Sequence, residues 1–319
     1  MPKGFQILLR ICFAFIVIVI GNYVIVAQVN LNGTWTANDN NYNWNNKNKD
    51  DKDNDDQNSK DKVYLNFRYQ TSKGNDTNQG SSYAYGDLQG LTEAQVAGAN
   101  SPVKFRIARE AGTIECEGNF QNGKGAGTFR FTSNPQFISA MKTRGFDFEK
   151  PSKSGDERDI ENRLFAATTI NVTTALADDL LSANFGKLDV DDLFKAAIFK
   201  VDSKFMREMN ATGFPNLNFD DLVKARIFKI DADYVKQVTA MNFKTDNFES
   251  LVKMKIFKIT PEYIAEVRNA GFPNLDAEDL VKLKIFKIDS AFIQKAKADG
   301  VPLDVENLVQ RRIGVWHGK

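Results

Sequence analysis

Lysine residues recur at a fixed interval in the C-terminal half of this chain, and regularly spaced ammonium groups can bind anions. One set repeats every 29 residues, and a second set, five residues earlier, keeps the same interval. The first set is Lys200, Lys229, Lys258 and Lys287, and the second is Lys224, Lys253 and Lys282. If the copies stack regularly, these lysines form a basic stripe suited to acidic protein, an envelope polymer or phospholipid headgroups. The sequence therefore predicts a candidate binding stripe.

A structural interpretation of the same lysines competes with the functional one. Acidic residues in the first turn of a helix and basic residues in the last turn complement the helix dipole. Residues 134–319 contain 28 basic and 28 acidic side chains, so the two signs offset one another. This balance favours the structural interpretation. Replacement of Lys229, Lys258 and Lys287 by Gln would distinguish the two, because only a functional stripe would then lose anion binding.

Catalytic motifs are missing from the sequence. It contains no HExxH, no GxSxG, no phosphate-binding glycine loop and no CxxC. Beyond the N-terminal leader, one cysteine (Cys116) and one histidine (His317) remain, and they are too far apart in sequence to suggest a nucleophile–base pair or a soft-metal site. We therefore predict a protein that is not an enzyme and that uses no cofactor.

The first 27 residues have the features of an export signal. Lys3 and Arg10 precede an apolar run that begins at Ile11, and Ala27 provides a small residue at a cleavage position. We interpret residues 1–27 as a signal peptide, which predicts a periplasmic or secreted protein. The alternative is a retained anchor formed by residues 11–27, which are just long enough to span a bilayer and would bring the protein to the membrane.

The composition indicates a folded protein with no electrostatic preference for nucleic acid. Of 319 residues, 42% are hydrophobic and 26% are charged, which is enough apolar material for two domains. Loss of Lys3 and Arg10 with the leader changes the formal net charge from +1 to −1. A protein partner or an acidic envelope component is therefore a better expectation than nucleic acid.

Residues 28–133 show the alternation of apolar and polar residues that is typical of β-strands. In the stretch VYLNFRYQ, Val63, Leu65, Phe67 and Tyr69 fall on one face. About six such strands, two of them joined by an Asn-Gly turn, predict an antiparallel β-sandwich or small barrel. Cys116 alternates with apolar neighbours in one of these strands, which predicts a buried, inert thiol.

A polar segment interrupts this β domain. Residues 38–62 read NDNNYNWNNKNKDDKDNDDQNSKDK, which is too polar to bury a core and is predicted to be a disordered loop. Asp51, Asp53 and Asp55 alternate as calcium ligands would. However, the central glycine and the closing glutamate of a calcium-binding loop are missing, so disorder is the better interpretation.

The region from 134 to 319 repeats a pair of short helices. Each unit has one helix start after a residue such as Asn218 and a second after a residue such as Asp231. An insertion at 147–161 lengthens the first interval. The set predicted to be buried in one unit is Leu222, Val223, Ile227, Tyr234, Val238 and Phe243. Helices of about ten residues are unstable alone, so stacked units must supply their contacts. This predicts an α+β chain whose second domain is an α-helical solenoid of short helix pairs.

Two motifs resemble known families. The stretch ECEGNFQNGKGAGTFRF resembles a single membrane-occupation-and-recognition-nexus hairpin. The pattern LVKxKIFKITPEYI followed by GFPNL resembles helical repeats of uncharacterised bacterial envelope proteins, some of them fused to penicillin-sensing-type zinc metallopeptidases. The similarity covers most of residues 63–319, although Phe and Lys stand where those relatives often carry His and Gly. It implies a sensory or scaffolding role in the envelope and transfers no catalytic residue.

Together these features predict an exported, non-enzymatic interaction or scaffold protein that binds a partner through its helical repeats. The alternative is a β domain that binds a small ligand or a glycan, with the repeats as support. Gly33 and Trp35, in the stretch GTWT, resemble a lipocalin pair and suggest this second function.

Overall fold

A computed structural model describes residues 29–39, 61–71, 74–150, 160–214, 216–240 and 247–315. It confirms the broad α+β class: an antiparallel sheet at the N-terminus is followed by helices. The predicted leader, most of the polar loop, the centre of the insertion and Phe243 lie outside these ranges. The chain divides into two compact units, one ending at Ser139 and one starting at Ala140. No helix of the described ranges is both long enough and apolar enough to span a bilayer.

The N-terminal unit contains six strands in one sheet. They are β1 (Asn30–Asp39), β2 (Lys62–Gln70), β3 (Asp76–Ala84), β4 (Ser101–Arg109), β5 (Gly112–Gln121) and β6 (Lys124–Ser133). Their order is β3-β2-β1-β6-β5-β4, and all neighbours are antiparallel. The finer prediction of a sandwich or barrel is not confirmed. The ends of the predicted loop, Asn38, Asp39 and Lys62, belong to strands, because they continue the pairing between β1, β2 and β3.

One face of this sheet is apolar and concave. The indole ring of Trp35 in β1 lies 5.3 Å from the ring of Phe105 in β4, centroid to centroid. Three strand spacings separate β1 from β4, which is about 14 Å in a flat sheet, so the sheet must curl around the indole. A Cβ at Gly118 or Gly125 would lie 2.7 Å or 2.8 Å from that indole. These glycines therefore make room for Trp35, which is fully buried.

Two local predictions in the sheet unit are confirmed. Asn122 and Gly123 connect β5 to β6 with φ values of 50° and 82°, the left-handed conformation that an Asn-Gly hairpin turn requires. Thr92 caps helix α1 (Glu93–Ala97): its hydroxyl accepts a hydrogen bond from the backbone N–H of Gln95, and the Gln95 side chain accepts one from the backbone N–H of Thr92. Cys116 is buried as expected, and burial raises the pKa of its thiol.

Twelve further helices are seen among the described residues. They are α2 (Pro135–Thr143), α3 (Ile160–Thr169), α4 (Thr174–Ser182), α5 (Val190–Phe199), α6 (Ser203–Asn210), α7 (Phe219–Ile227), α8 (Ala232–Ala240), α9 (Phe248–Ile256), α10 (Pro261–Asn269), α11 (Ala277–Ile285), α12 (Ser290–Ala298) and α13 (Val305–Ile313). From α5 onwards, odd-numbered helices are the first of each unit and even-numbered helices are the second. Each odd-numbered helix contacts the next odd-numbered one.

The predicted starts of the helices are confirmed by the capping hydrogen bonds. Asn218, for example, accepts a hydrogen bond from the backbone N–H of Asp221, and Asp231 accepts one from the N–H of Tyr234. The same contact is made by Asp189, Asn247, Asp276 and Asp304 before first helices, and by Thr173, Asp202, Thr260 and Asp289 before second helices. Local N-cap chemistry thus fixes where each helix begins.

Of the five described residues in the predicted core of one unit, three are buried, one is half-buried and one is exposed. Leu222, Val223 and Val238 are buried, and Tyr234 is half-buried. Ile227 is 47% exposed and Ile230, three residues later, is 1% exposed. The chain leaves the helix between these two isoleucines, so only the second turns back into the core.

Candidate binding ridge

The first helices of three inner units, α7, α9 and α11, end in the same backbone motif, and α5 shares the longer of its two bonds, from the N–H of Val201 to the carbonyl of Ala196. In α7, the N–H of Ile230 donates to the carbonyl of Ala225, and the N–H of Lys229 donates to the carbonyl of Arg226. This pair of bonds is a Schellman motif, in which the residue at position C′, here Lys229, adopts the left-handed conformation. The φ values of Lys200, Lys229, Lys258 and Lys287 are 58°, 53°, 53° and 51°. Four of the seven predicted stripe residues therefore stand at helix ends.

An exposed isoleucine precedes each of these lysines by two residues. The exposed fractions of Ile198, Ile227, Ile256 and Ile285 are 54%, 47%, 50% and 51%. The phenylalanine between each isoleucine and lysine is half-buried, and the lysine is exposed. We name the four isoleucines together with Lys200, Lys229, Lys258 and Lys287 the isoleucine–lysine ridge.

The ridge repeats from unit to unit because the helices that carry it are neighbours. Helices α5, α7, α9 and α11 contact one another in series, and packed helices lie about 8–10 Å apart. An apolar side chain followed by an ammonium group therefore recurs at about that interval. The ridge can take up a partner that is both apolar and negatively charged.

Lys224 and Lys253 lie outside the ridge, in contacts between units. The Lys224 ammonium lies 2.9 Å from a carboxylate oxygen of Glu249 in the next first helix, and Lys253 bonds to Glu278 in the same way. Hydrogen bonding to these carboxylates raises the pKa of both lysines. Lys195, which the stripe did not include, makes the same contact one unit earlier. These lysines join successive helices.

Lys282 differs from its two counterparts, since it makes no such ion pair among the described residues. It is exposed and lines a groove of about 400 Å³ between α11 and α13, near Glu306. The last unit is one residue shorter than the others, with 28 residues between Ile285 and Ile313. The equivalent carboxylate, Glu306, therefore lies 24 residues after Lys282, where Glu249 and Glu278 lie 25 residues after their lysines.

A third basic row packs on aromatic rings. The Lys255 ammonium lies 4.5 Å from the ring centroid of Tyr234 in the preceding second helix, and Lys284 lies 4.1 Å from that of Tyr263. The Tyr263 hydroxyl donates a 3.2 Å hydrogen bond to the carbonyl of Ile288, and burial raises its pKa to about 12. These cations stabilise the packing of one unit on the next.

Sequence reasoning found the ridge lysines and missed the ridge isoleucines, of which it placed Ile227 in the core. One signal could have separated them. In a Schellman motif the residue after C′ packs back on position C3, so in the repeated IFKI the second isoleucine is the buried one. The first isoleucine must then face outward.

The other candidate sites are the lipocalin-like pair, a groove on the sheet and possible metal ligands. Trp35 of the lipocalin-like pair has no exposed surface, so it cannot meet a ligand from solvent. The outer face of the sheet has a polar groove of about 450 Å³, lined by Thr34, Thr36, Asn66, Arg68, Asp76, Thr77 and Asn78. In the part of the chain that the structure describes, no three His, Cys, Asp or Glu side chains are grouped to hold a metal ion.

Comparison with known proteins gives no family for this chain. No family model, no curated protein and no solved structure matches it.

Proposed function

We propose that this chain is an exported, non-enzymatic interaction protein of the bacterial envelope and that it binds its partner through the isoleucine–lysine ridge. The observation that carries the proposal is the exposure of Ile198, Ile227, Ile256 and Ile285 at equivalent positions. A large aliphatic side chain that is half exposed in four consecutive units adds little to the core. Exposed apolar side chains mark an interaction site when they join into one patch.

A solenoid arrangement of the helix pairs would make the ridge continuous. The inter-unit contacts of Lys195, Lys224 and Lys253 support it, because each lysine reaches an acidic residue of the next first helix that lies 25 positions further along the chain. Equal contacts at equal intervals are expected when each unit packs on the next with the same geometry. The ridge residues would then lie in one row.

Site-specific photocrosslinking tests the proposed function. A photoreactive amino acid replaces Ile227 or Ile256 in the full chain, made in the bacterium that produces it. We expect adducts from both positions, identified by mass spectrometry. Leu181 of α4, which is 39% exposed, is the matched control and should give none. Equal adducts at Leu181, or none at the ridge, would refute the proposal.

The polar groove on the sheet favours a second candidate function, the binding of a glycan or small polar ligand. Its lining combines the Arg68 guanidinium with amide and hydroxyl groups such as Asn66 and Thr34, which hydrogen-bond sugars. Adding oligosaccharides while following the NMR signals of β1 and β2 would test it. Shifts confined to the groove are the expected result, and their absence would remove this candidate.

A further inference from the structure

The two components of the ridge occur together within the chain. Where the first helix of a unit carries lysine at C′, it also carries isoleucine two residues earlier. In α3 the residue at C′ is Asn171, with φ 61°, and the residue two positions earlier is Thr169, which is 2% exposed. The α3 unit therefore lacks both side chains, whereas α13, with Gly314 at C′, lacks the lysine and still exposes Ile313. Every lysine at C′ is thus accompanied by an exposed isoleucine, as expected of two side chains that serve one surface.

Lysine at C′ is unfavourable for the fold. A residue with a Cβ is strained in the left-handed conformation, and glycine or asparagine is preferred there. The end units follow this preference, with Asn171 after α3 and Gly314 after α13. The inner units do not, and Lys200, Lys258 and Lys287 form no salt bridge with described residues that would offset the strain. The helix dipole offsets part of this strain, because an ammonium group near the C-terminal end of a helix is favourable. Binding at the ridge gives these side chains a role beyond that.

The chemistry of the ridge distinguishes between two kinds of acidic partner. An extended peptide brings backbone N–H and C=O groups that need hydrogen-bond partners. The ridge side chains offer ammonium groups and aliphatic carbons, and therefore no acceptor for a peptide N–H. A helical peptide would need a groove, and the two grooves described above lie away from the ridge isoleucines.

We infer that the ridge binds the surface of an anionic phospholipid bilayer, with the isoleucines among the acyl chains and Lys200, Lys229, Lys258 and Lys287 at the phosphates. A bilayer surface needs no hydrogen-bond pairing from the aliphatic side chains. Lysine stems lie along apolar surface and keep the ammonium group at the headgroups. This inference rests on the proposed function and specifies the partner of the same ridge.

A fluorophore on the ridge tests the inference in the full chain. The variant Ile256→Cys carries an environment-sensitive dye, with Cys12→Ser added; Cys116 is buried and does not react. We expect a blue shift with vesicles of equal parts phosphatidylglycerol and phosphatidylcholine, and none with pure phosphatidylcholine. The dye at Leu181→Cys is the control for contact elsewhere on the helices. An equal shift at Leu181 would overturn the inference.

Substitutions give the expected size of the effect. With the dye in place, the triple variant Lys229→Gln, Lys258→Gln and Lys287→Gln should bind roughly 100-fold more weakly, from about fivefold for each cation at an anionic surface. The charge-matched control changes three exposed lysines of second helices, Lys236, Lys295 and Lys297, to Gln. Equal weakening by both triples would contradict a role for the ridge.

Poly-glutamate separates failure of the lipid inference from failure of the proposed function. A blue shift with poly-glutamate and none with vesicles would overturn the lipid assignment and leave the ridge as a binding surface for acidic protein. No shift with either probe, together with no photocrosslink at Ile227 or Ile256, would contradict both.

Discussion

The sheet unit and the helical unit treat large apolar side chains differently. Among the described residues, the sheet unit exposes one of them, Tyr64, which is 38% accessible. The helical unit exposes eight large apolar side chains. Four of these are the ridge isoleucines, which stand at the same position of successive helix-pair repeats. Half of the exposed side chains in the helical unit therefore recur at one position of the repeat. A fold that buries Leu222, Leu251 and Leu280 at equivalent positions can bury aliphatic groups, so the need to fill the core does not explain the exposed isoleucines.

The largest expected effect lies in the sheet unit. Trp35→Ala removes a fully buried indole that contacts Phe105 and Phe120 and donates a hydrogen bond to the carbonyl of Glu117. We expect a loss of about 3–5 kcal/mol in the free energy of unfolding, measured by urea titration. A loss below about 1 kcal/mol would show that the concave face is not packed around this ring.

The next effect compares two side chains of one helix. Leu251→Ala in α9 deletes a side chain with no exposed surface and should cost about 2–5 kcal/mol. Ile256→Ala, in the same helix, deletes one that is 50% exposed, and we expect a loss of at most about 1 kcal/mol. Helical circular dichroism in urea gives both values. Equal losses would mean that Ile256 belongs to the core.

A smaller change in the free energy of unfolding, in the stabilising direction, is expected at a helix end. Lys258→Gly removes a Cβ from the left-handed conformation and should stabilise the protein by about 0.5–1 kcal/mol, since the relief of strain exceeds the added freedom of the unfolded chain. Lys236→Gly, at an exposed position inside α8, is the control and should destabilise the protein by a similar amount. If Lys258→Gly lowers the thermal midpoint, the lysine is retained for stability.

The smallest effect concerns the ion pairs between units. A double-mutant cycle of Lys224→Gln and Glu249→Gln should give a coupling energy of about 0.2–1 kcal/mol, because both side chains are roughly half exposed and water screens them. The cycle of Lys282→Gln and Glu306→Gln should give no coupling. A coupling of equal size at Lys282 would contradict its separation from the ion-pair series.

Helix starts and the hairpin could be predicted from the sequence because their chemistry is local. The side chain of Asn218 reaches the N–H of a residue three positions later, and Asn122 and Gly123 form their turn without help from the rest of the chain. Such contacts leave a fixed spacing in the sequence. The 29-residue period is equally visible, because each unit repeats the same contacts.

The orientation of the ridge could not be predicted with the same rules. Ile227 and Ile230 are three residues apart and would share one face of a continuing helix. One residue turns a helix by about 100°, so which isoleucine is buried depends on the residue at which the helix ends, and apolar spacing alone does not identify it. The curvature of the sheet could not be predicted for a related reason. Gly118 and Gly125 make room for Trp35 only after the strands have paired, and their spacing in the sequence does not show this.

Hydroxyl-radical footprinting of the full chain, read by mass spectrometry, tests the central claim at every copy of the ridge at once. With phosphatidylglycerol-containing vesicles, oxidation of Ile198, Ile227, Ile256 and Ile285 should fall together relative to Leu181, which corrects for radicals consumed by lipid. An unchanged ratio of these isoleucines to Leu181 would contradict the ridge as a membrane-binding surface.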